Sequence, residues 1–186
     1  MSIRLNLACG RDLRYGWVNI DMLPPLNIPA GVDYVQHDLR KGLPDQFRSV
    51  NMITMSHVSE HLTTEDNITL LRHCYKRMVP GGSLFIELPD FVSVIKAYLD
   101  KDWNYFRHPA IMHFCKDRMM GTLLDYALHQ RVNGIPEHIT FIDSEIMIYI
   151  LREAGFTTIH ETKFCPGISN PDPLRIKYSL YFEAIK

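Results

Sequence analysis

Between residues 52 and 88 the chain runs through an apolar stretch, a capped amphipathic segment and a second apolar stretch, and this order restricts the fold more than any other feature. Residues 52–55 and 83–88 have strand length and strand composition. Between them Thr63-Thr64-Glu65-Asp66 predicts a helix start, Ile68, Leu71, Tyr75 and Met78 supply one apolar face, and Pro80-Gly81-Gly82 stops the pattern. Two strands joined by a helix pair in parallel through a right-handed crossover, so an open α/β sheet is expected.

Five further runs, 3–7, 17–20, 32–36, 157–163 and 178–184, bring the predicted strands to seven. Asp143 is placed to cap a second helix bearing Ile146, Ile150, Leu151 and Ala154, with Gly155 suited to a left-handed C-terminal position and Phe156 packing back. The last two runs are joined by 165–173, which carries no helical pattern and predicts an antiparallel closing pair. Segments 11–16, 22–31 and 40–50 are short or rich in Pro and Gly, so the first three strands are expected to lack full helices. An apolar sheet face left bare there would be covered either by the inserted helices folding back over it or by a second copy of the chain, a homodimer. Segment 90–131 carries Phe91, Ile95 and Tyr98, then Met112, Cys115, Met119, Leu123 and Ala127, at helical spacing and predicts two or three inserted helices.

Composition narrows the function classes. With 186 residues, one domain spanning 1–186 is expected, with the helical insertion at about 90–135. Lys+Arg 20 against Asp+Glu 21 gives a net charge of −1, which argues against a protein that grips nucleic acid by its phosphates. The longest apolar run, 146–151, is far below the ~20 residues that cross a bilayer, and Arg4 and Asn6 interrupt the first residues, so neither a membrane span nor a secretory signal is expected. Cys9, Cys74, Cys115 and Cys165 form no C-x-x-C pair, which points to a reducing, cytoplasmic setting rather than a disulfide scaffold.

Ligands of open α/β sheets bind beyond the carboxyl ends of the strands, where strand order reverses. The first predicted strand ends in Asn6-Leu7-Ala8-Cys9-Gly10, a small-residue turn that lets a ligand approach backbone amides, and Gly10 is the position least expected to tolerate a side chain. The second ends in Asp21, whose carboxylate suits two ribose hydroxyls. The third is followed by His37-Asp38-Leu39, where a carboxylate beside a backbone N–H suits the edge of an adenine. Taken singly these residues are unremarkable loop features; their order spells an adenosine site.

With Pro80-Gly81-Gly82 ahead of the fifth strand, the chain resembles the class I S-adenosylmethionine-dependent methyltransferase family, in a compact bacterial and phage-type form similar to methyltransferase type 11. The resemblance is carried by Leu5-Asn6-Leu7-Ala8-Cys9-Gly10, by Gly16-Trp17-Val18-Asn19-Ile20-Asp21, by Ser56-His57-Val58-Ser59-Glu60-His61-Leu62 and by the residues from Arg77 to Ile86, and covers roughly 3–90 and 138–186. It implies a Rossmann-like, seven-stranded, mostly parallel sheet with the last strand reversed, and S-adenosylmethionine as methyl donor. It also implies that Asn6, Ala8, Cys9 and Gly10 face the methionine part, Asp21 the ribose, and Asp38 and Leu39 the adenine, with Ser56 and His57 as the far wall and Met22 a further donor-binding residue. Two departures stand out: Ala8 replaces a usual glycine, and only ten residues separate Gly10 from Asp21, too few for the helix that normally intervenes.

A sulfonium already activates its methyl group, so the protein's task is to align an acceptor lone pair and exclude water. For a hydroxyl acceptor a base is useful, and His57, after the fourth strand, and His138, before the last long helix, are the candidates. The expected acceptor is an oxygen or nitrogen of a small molecule or saccharide, shaped by Tyr98, Trp103, Tyr105, Phe106, Arg107 and Tyr126 of the insertion, whose histidines His108, His113 and His129 read as surface or packing residues. Two other classes remain: a non-catalytic S-adenosylmethionine-binding module or partner subunit, and a zinc hydrolase. The second arises because His57-Val58-Ser59-Glu60-His61 satisfies H-x-x-E-H, which needs both histidines on one helix and a third ligand such as Glu137 or Glu145. Because the motif directly follows a buried strand run and Thr63 resets a cap, no metal is expected there.

Overall fold

The computed structural model describes residues 2–107, 119–129 and 137–186. All seven predicted strands form: β1 (Ile3–Leu7), β2 (Val18–Asp21), β3 (Asp33–Gln36), β4 (Val50–Ser56), β5 (Met78–Pro89), β6 (Thr158–Glu161) and β7 (Ser179–Ile185). They build one sheet in the order β3-β2-β1-β4-β5-β7-β6, parallel except for β7, which runs against both β5 and β6. The order reverses between β1 and β4, which places the crevice for a ligand at their carboxyl ends.

The helices are α1 (Thr64–Arg77), α2 (Phe91–Leu99), α3 (Trp103–Phe106), α4 (Met120–His129), α5 (Ser144–Ala154) and α6 (Pro173–Tyr178) among the described residues. The Thr63 hydroxyl accepts from the Asp66 amide and the Asp143 carboxylate from the Ile146 amide, as the capping patterns predict. Gly155 closes α5 at φ +113°, a left-handed conformation that glycine adopts without penalty. Three differences appear. Helix α1 ends at Arg77 rather than at Pro80-Gly81-Gly82, because Met78 already pairs with Val50; residues 79–82 then bulge out before pairing resumes at Met52 and Ser83. Strand β6 is shorter than its apolar run, ending at Glu161. Helix α6 fills the end of the connection expected to be helix-free, although 165–172 conform to the expectation.

One face of the sheet carries the core. Leu5, Leu7, Ile20, Ile53, Met55, Leu84, Ile86 and Phe182 are buried against Leu70, Leu71 and Cys74 of α1 and Met147, Ile150 and Leu151 of α5. Burial of each such side chain contributes about 1.5–3 kcal/mol. The inserted α2, α3 and α4 form a satellite cluster around Val94, Ala97, Phe106 and Leu123. Tyr98 and Trp103 of this region are exposed, and Arg107 and Met119 are exposed at its edges. Met112, Cys115, His108, His113 and the side chain of Tyr126 lie outside the described residues.

The first three strands lack long helices, as expected: only a 3-10 turn, Leu39–Lys41, follows them. The bare face is not apolar, however. Asn19, Asn6 and Thr54 sit side by side across β2, β1 and β4, and Ser56, Glu87 and Tyr181 form the next row. Their polar atoms bind loops in place of helices. The Asn19 side chain accepts from the Arg14 amide at 2.9 Å and donates to the Arg14 carbonyl at 3.0 Å. Loop 165–172 lies across β4 and β5: the Thr54 hydroxyl donates to the Ile168 carbonyl, and the Asn170 amide donates to the Glu87 carboxylate at 2.8 Å. The loops thus satisfy the polar atoms of this face without a long helix.

Candidate active site

The turn after β1 is wound tightly by two left-handed residues. Ala8 has φ +46° and Gly10 φ +51°, with Cys9 between them. The Gly10 amide donates to the Asp21 carboxylate at 2.8 Å and the Leu23 amide donates to its other oxygen at 3.1 Å, so one side chain ties the ends of β1 and β2 together. A Cβ built on Gly10 would meet nothing within 4 Å. The glycine therefore faces open space, which is what a backbone-contacting ligand requires.

Two cavities flank this turn. One, of about 420 Å³, is lined by Asn6, Ala8, Cys9, Gly10, Ser56 and His57, together with Asp12 and Asn170. The other, of about 240 Å³, is lined by Asp21, Met22, Asp38 and Leu39, together with Arg40 and His61. Ala8 and His57 line both. All ten expected donor-site positions thus surround one bipartite crevice at the reversal point. A larger cavity of about 630 Å³, between Arg48, His73, Lys76 and Pro80, lies at the opposite end of β4 and β5, away from these strand ends.

The electrostatics are specific. Burial, with Asp21 close by, pushes the Cys9 thiol up to about 12, so it stays protonated and lines the pocket as a small apolar group. Hydrogen bonds from Arg40, at 2.9 and 2.8 Å, hold the Asp38 carboxyl down at about 2. Asp38 is thus already engaged by a side chain that also lines the smaller cavity. His57 leaves β4 at φ +55°, a conformation costly for a residue with a side chain. Its Nε2 lies 2.8 Å from the Ser179 hydroxyl, and its Nδ1 stands 3.3 Å from the Glu60 carboxylate.

His138 is not brought to the crevice. It lines neither cavity, its Nδ1 bonds the Leu128 carbonyl at 3.0 Å, and its Nε2 faces Glu60. The H-x-x-E-H stretch forms no two-turn helix: Ser59–His61 is a single 3-10 turn, so His57 and His61 are not presented together as the peptidase arrangement demands. Asp12, Asn170, Pro171 and Asp172 line the larger cavity without having been singled out in the sequence. Their signal lies in the topology. Because β7 runs antiparallel to β5, pairing Ser179 with Pro89, the connection ahead of β7 is delivered to the carboxyl end of β5.

The fold has relatives among known proteins. A family model for a methyltransferase domain matches residues 15–161. No curated protein matches the sequence. Among solved structures, a SAM-dependent methyltransferase from Archaeoglobus fulgidus superposes with a TM-score of 0.57 at 17% identity, covering 100% of this chain and 86% of that one. An S-adenosylmethionine-dependent methyltransferase from Mesorhizobium loti gives a TM-score of 0.55 at 17% identity, covering 99% and 90%. Human N-acetylserotonin methyltransferase, solved in complex with SAM, gives 0.53 at 14% identity; this chain covers 47% of it. With the family model covering most of its length and the strand order expected from its motifs, this chain belongs to the methyltransferase-domain family, in its class I branch.

Proposed function

We propose that this protein transfers the methyl group of S-adenosylmethionine to an oxygen or nitrogen of a small molecule or saccharide. The observation that carries this reading is the bipartite crevice divided by Ala8 and His57 and floored by the Gly10–Asp21 link. The larger lobe takes the methionine part against Asn6, Ala8, Cys9 and Gly10, and the smaller takes the adenosine, with Asp21 and Met22 at the ribose and Asp38 and Leu39 at the adenine. The donor has no phosphate, which suits a turn that is not followed by a helix N-terminus.

When bound, the donor supplies an electrophilic methyl on sulfonium. The chain's own work is positioning: the left-handed turn fixes the donor's backbone contacts, Asp21 orients the ribose, and Ser56 and His57 wall off the end where an acceptor approaches. Alignment of this kind is worth up to ~7–11 kcal/mol of barrier, so no nucleophilic side chain is needed. His57 is the histidine at that wall; His138, behind it, holds no acceptor in this reading. Arg40 must swing off Asp38 for the adenine edge to pair with the carboxylate. Cys9, Cys74 and Cys165 are free thiols, which fits a reducing cytoplasm. Among the described residues no helix is long and apolar enough to cross a membrane.

The test is turnover. The purified chain is incubated with S-adenosylmethionine and a panel of hydroxyl and amine acceptors, including sugars, and S-adenosylhomocysteine is measured. Acceptor-dependent release supports the reading. Donor binding without release for any acceptor would favour a binding module instead.

A further inference from the structure

Behind the crevice, three side chains converge in a way that donor binding does not use. Glu60 is 0% exposed, and neither of its carboxylate oxygens has a hydrogen-bond partner among the described residues. His61 Nε2 lies 3.9 Å and His138 Nε2 4.0 Å from the same carboxylate oxygen. His138, 5% exposed, likewise has an Nε2 with no partner among the described residues. Apart from the His57 Nδ1 3.3 Å away, nothing among the described residues compensates this carboxylate, and a buried carboxylate and a buried imidazole nitrogen that face one another without a hydrogen bond are expensive unless something sits between them.

The other ring nitrogens say what that something is. His61 Nδ1 lies 2.9 Å from the Glu137 carbonyl and His138 Nδ1 3.0 Å from the Leu128 carbonyl. A carbonyl only accepts, so each Nδ1 carries the proton and donates it. With the proton on Nδ1, the neutral form of each ring leaves a bare lone pair on its Nε2. In that form two lone pairs and a carboxylate face one another across 3.9–4.0 Å. Histidines that bind metals are oriented in this manner, the far N–H fixed on a backbone carbonyl.

We propose that Glu60, His61 and His138 bind one first-row divalent transition ion. Two imidazoles and one carboxylate form the donor set that such ions favour over magnesium or calcium. The three ligand atoms lie within 4.8 Å of one another. Donors ~2.0–2.1 Å from one tetrahedral ion stand ~3.4 Å apart, so each of the three must move inward by roughly half an ångström to close the site. The backbone is already placed for this: the Ile139 and Thr140 amides both donate to the Glu60 carbonyl, at 2.8 and 3.2 Å, holding the segment that carries His138 against the turn that carries Glu60 and His61. His57, 3.3 Å from Glu60, is the outer partner of the carboxylate. His61 also lines the smaller cavity, so the ion sits one side chain away from ligand space. This differs from the peptidase reading of the same stretch: Glu60 is a ligand rather than a base, and the second imidazole comes from His138, 77 residues along the chain, rather than from His57.

The test uses the full chain, stripped with a chelator and without donor present. Co2+ is titrated while visible absorption is recorded, and Zn2+ is titrated by calorimetry. The expected result is one ion per chain, a visible Co2+ band lost on Zn2+ addition, and ~100-fold or greater weakening in His61→Ala and Glu60→Gln. His160→Ala, an exposed histidine on β6, should bind as the unaltered chain does. His61 is partly exposed, so His61→Ala is decisive even if Glu60→Gln fails to fold; circular dichroism checks the fold of each. Absence of a band and of heat at millimolar metal with folded protein overturns the proposal, as does unchanged affinity in folded His61→Ala.

Discussion

The backbone amide of Gly10 and the carboxylate of Asp21 meet at 2.8 Å across the ends of adjacent parallel strands. Ten residues lie between them, too few for a covering helix, so this one charge-assisted hydrogen bond takes over part of the helix's task and holds the first turn beside the second strand end. The same carboxylate retains lone pairs for a ligand, which makes Asp21 both a clamp and a recognition group.

Asp21→Ala removes both functions. Loss of a hydrogen bond to a charged group costs about 1.5–3 kcal/mol, so S-adenosylmethionine affinity should fall by ~10- to 150-fold in calorimetry. Unchanged affinity would place the ribose elsewhere.

Gly10→Ala should act on binding rather than on folding. Its φ of +51° costs an alanine ~1–2 kcal/mol, and the new methyl meets no protein atom within 4 Å. Thermal stability should drop by only a few degrees while donor affinity is lost, because the methyl occupies ligand space. Equal donor affinity in this variant contradicts the assignment of the turn.

Gly42→Ala should act on folding rather than on binding. At φ +80° its Cβ would lie 2.2 Å from His73 Nδ1, so the imidazole must be driven off α1's packed side. Overpacking of this kind costs ~1–3 kcal/mol, with ~1–2 more for the backbone. His73→Ala in the same chain should recover the overpacking part, read as melting temperature; no recovery would mean the contact is not the cause.

Glu87 gives a pH prediction. Burial raises its carboxyl pKa, against downward pulls from the Ser56 hydroxyl and the Asn170 amide. The folded state therefore holds its proton more tightly than the unfolded chain. Its contribution to stability is full below the ordinary carboxylate pKa and is lost as pH rises through the raised folded value. Glu87→Gln should flatten the decline of melting temperature over that window; parallel profiles for the two chains would contradict it.

The alternation of apolar runs and caps was readable because each signal is local: Thr63 and Asp143 cap their helices through side chains three residues from their partners. The crevice was readable because its residues follow strand ends in order, and strand ends meet at a reversal point whatever the loops do. What escaped depends on contacts far apart in sequence. Asn170 reaches the crevice only because β7 reverses, and His138 meets Glu60 only because 137–140 hydrogen-bonds to the Ser59–His61 turn. The polarity of the bare face was visible as Asn6, Asn19, Thr54 and Glu87, but which face each one occupies depends on the pairing register.

The central claim is tested most directly by calorimetric titration of the purified chain with S-adenosylhomocysteine, the donor without its methyl group. One molecule bound per chain, with binding weakened by Asp21→Ala and abolished by Gly10→Ala, is the predicted result. A folded chain that takes up none at millimolar ligand would contradict the account.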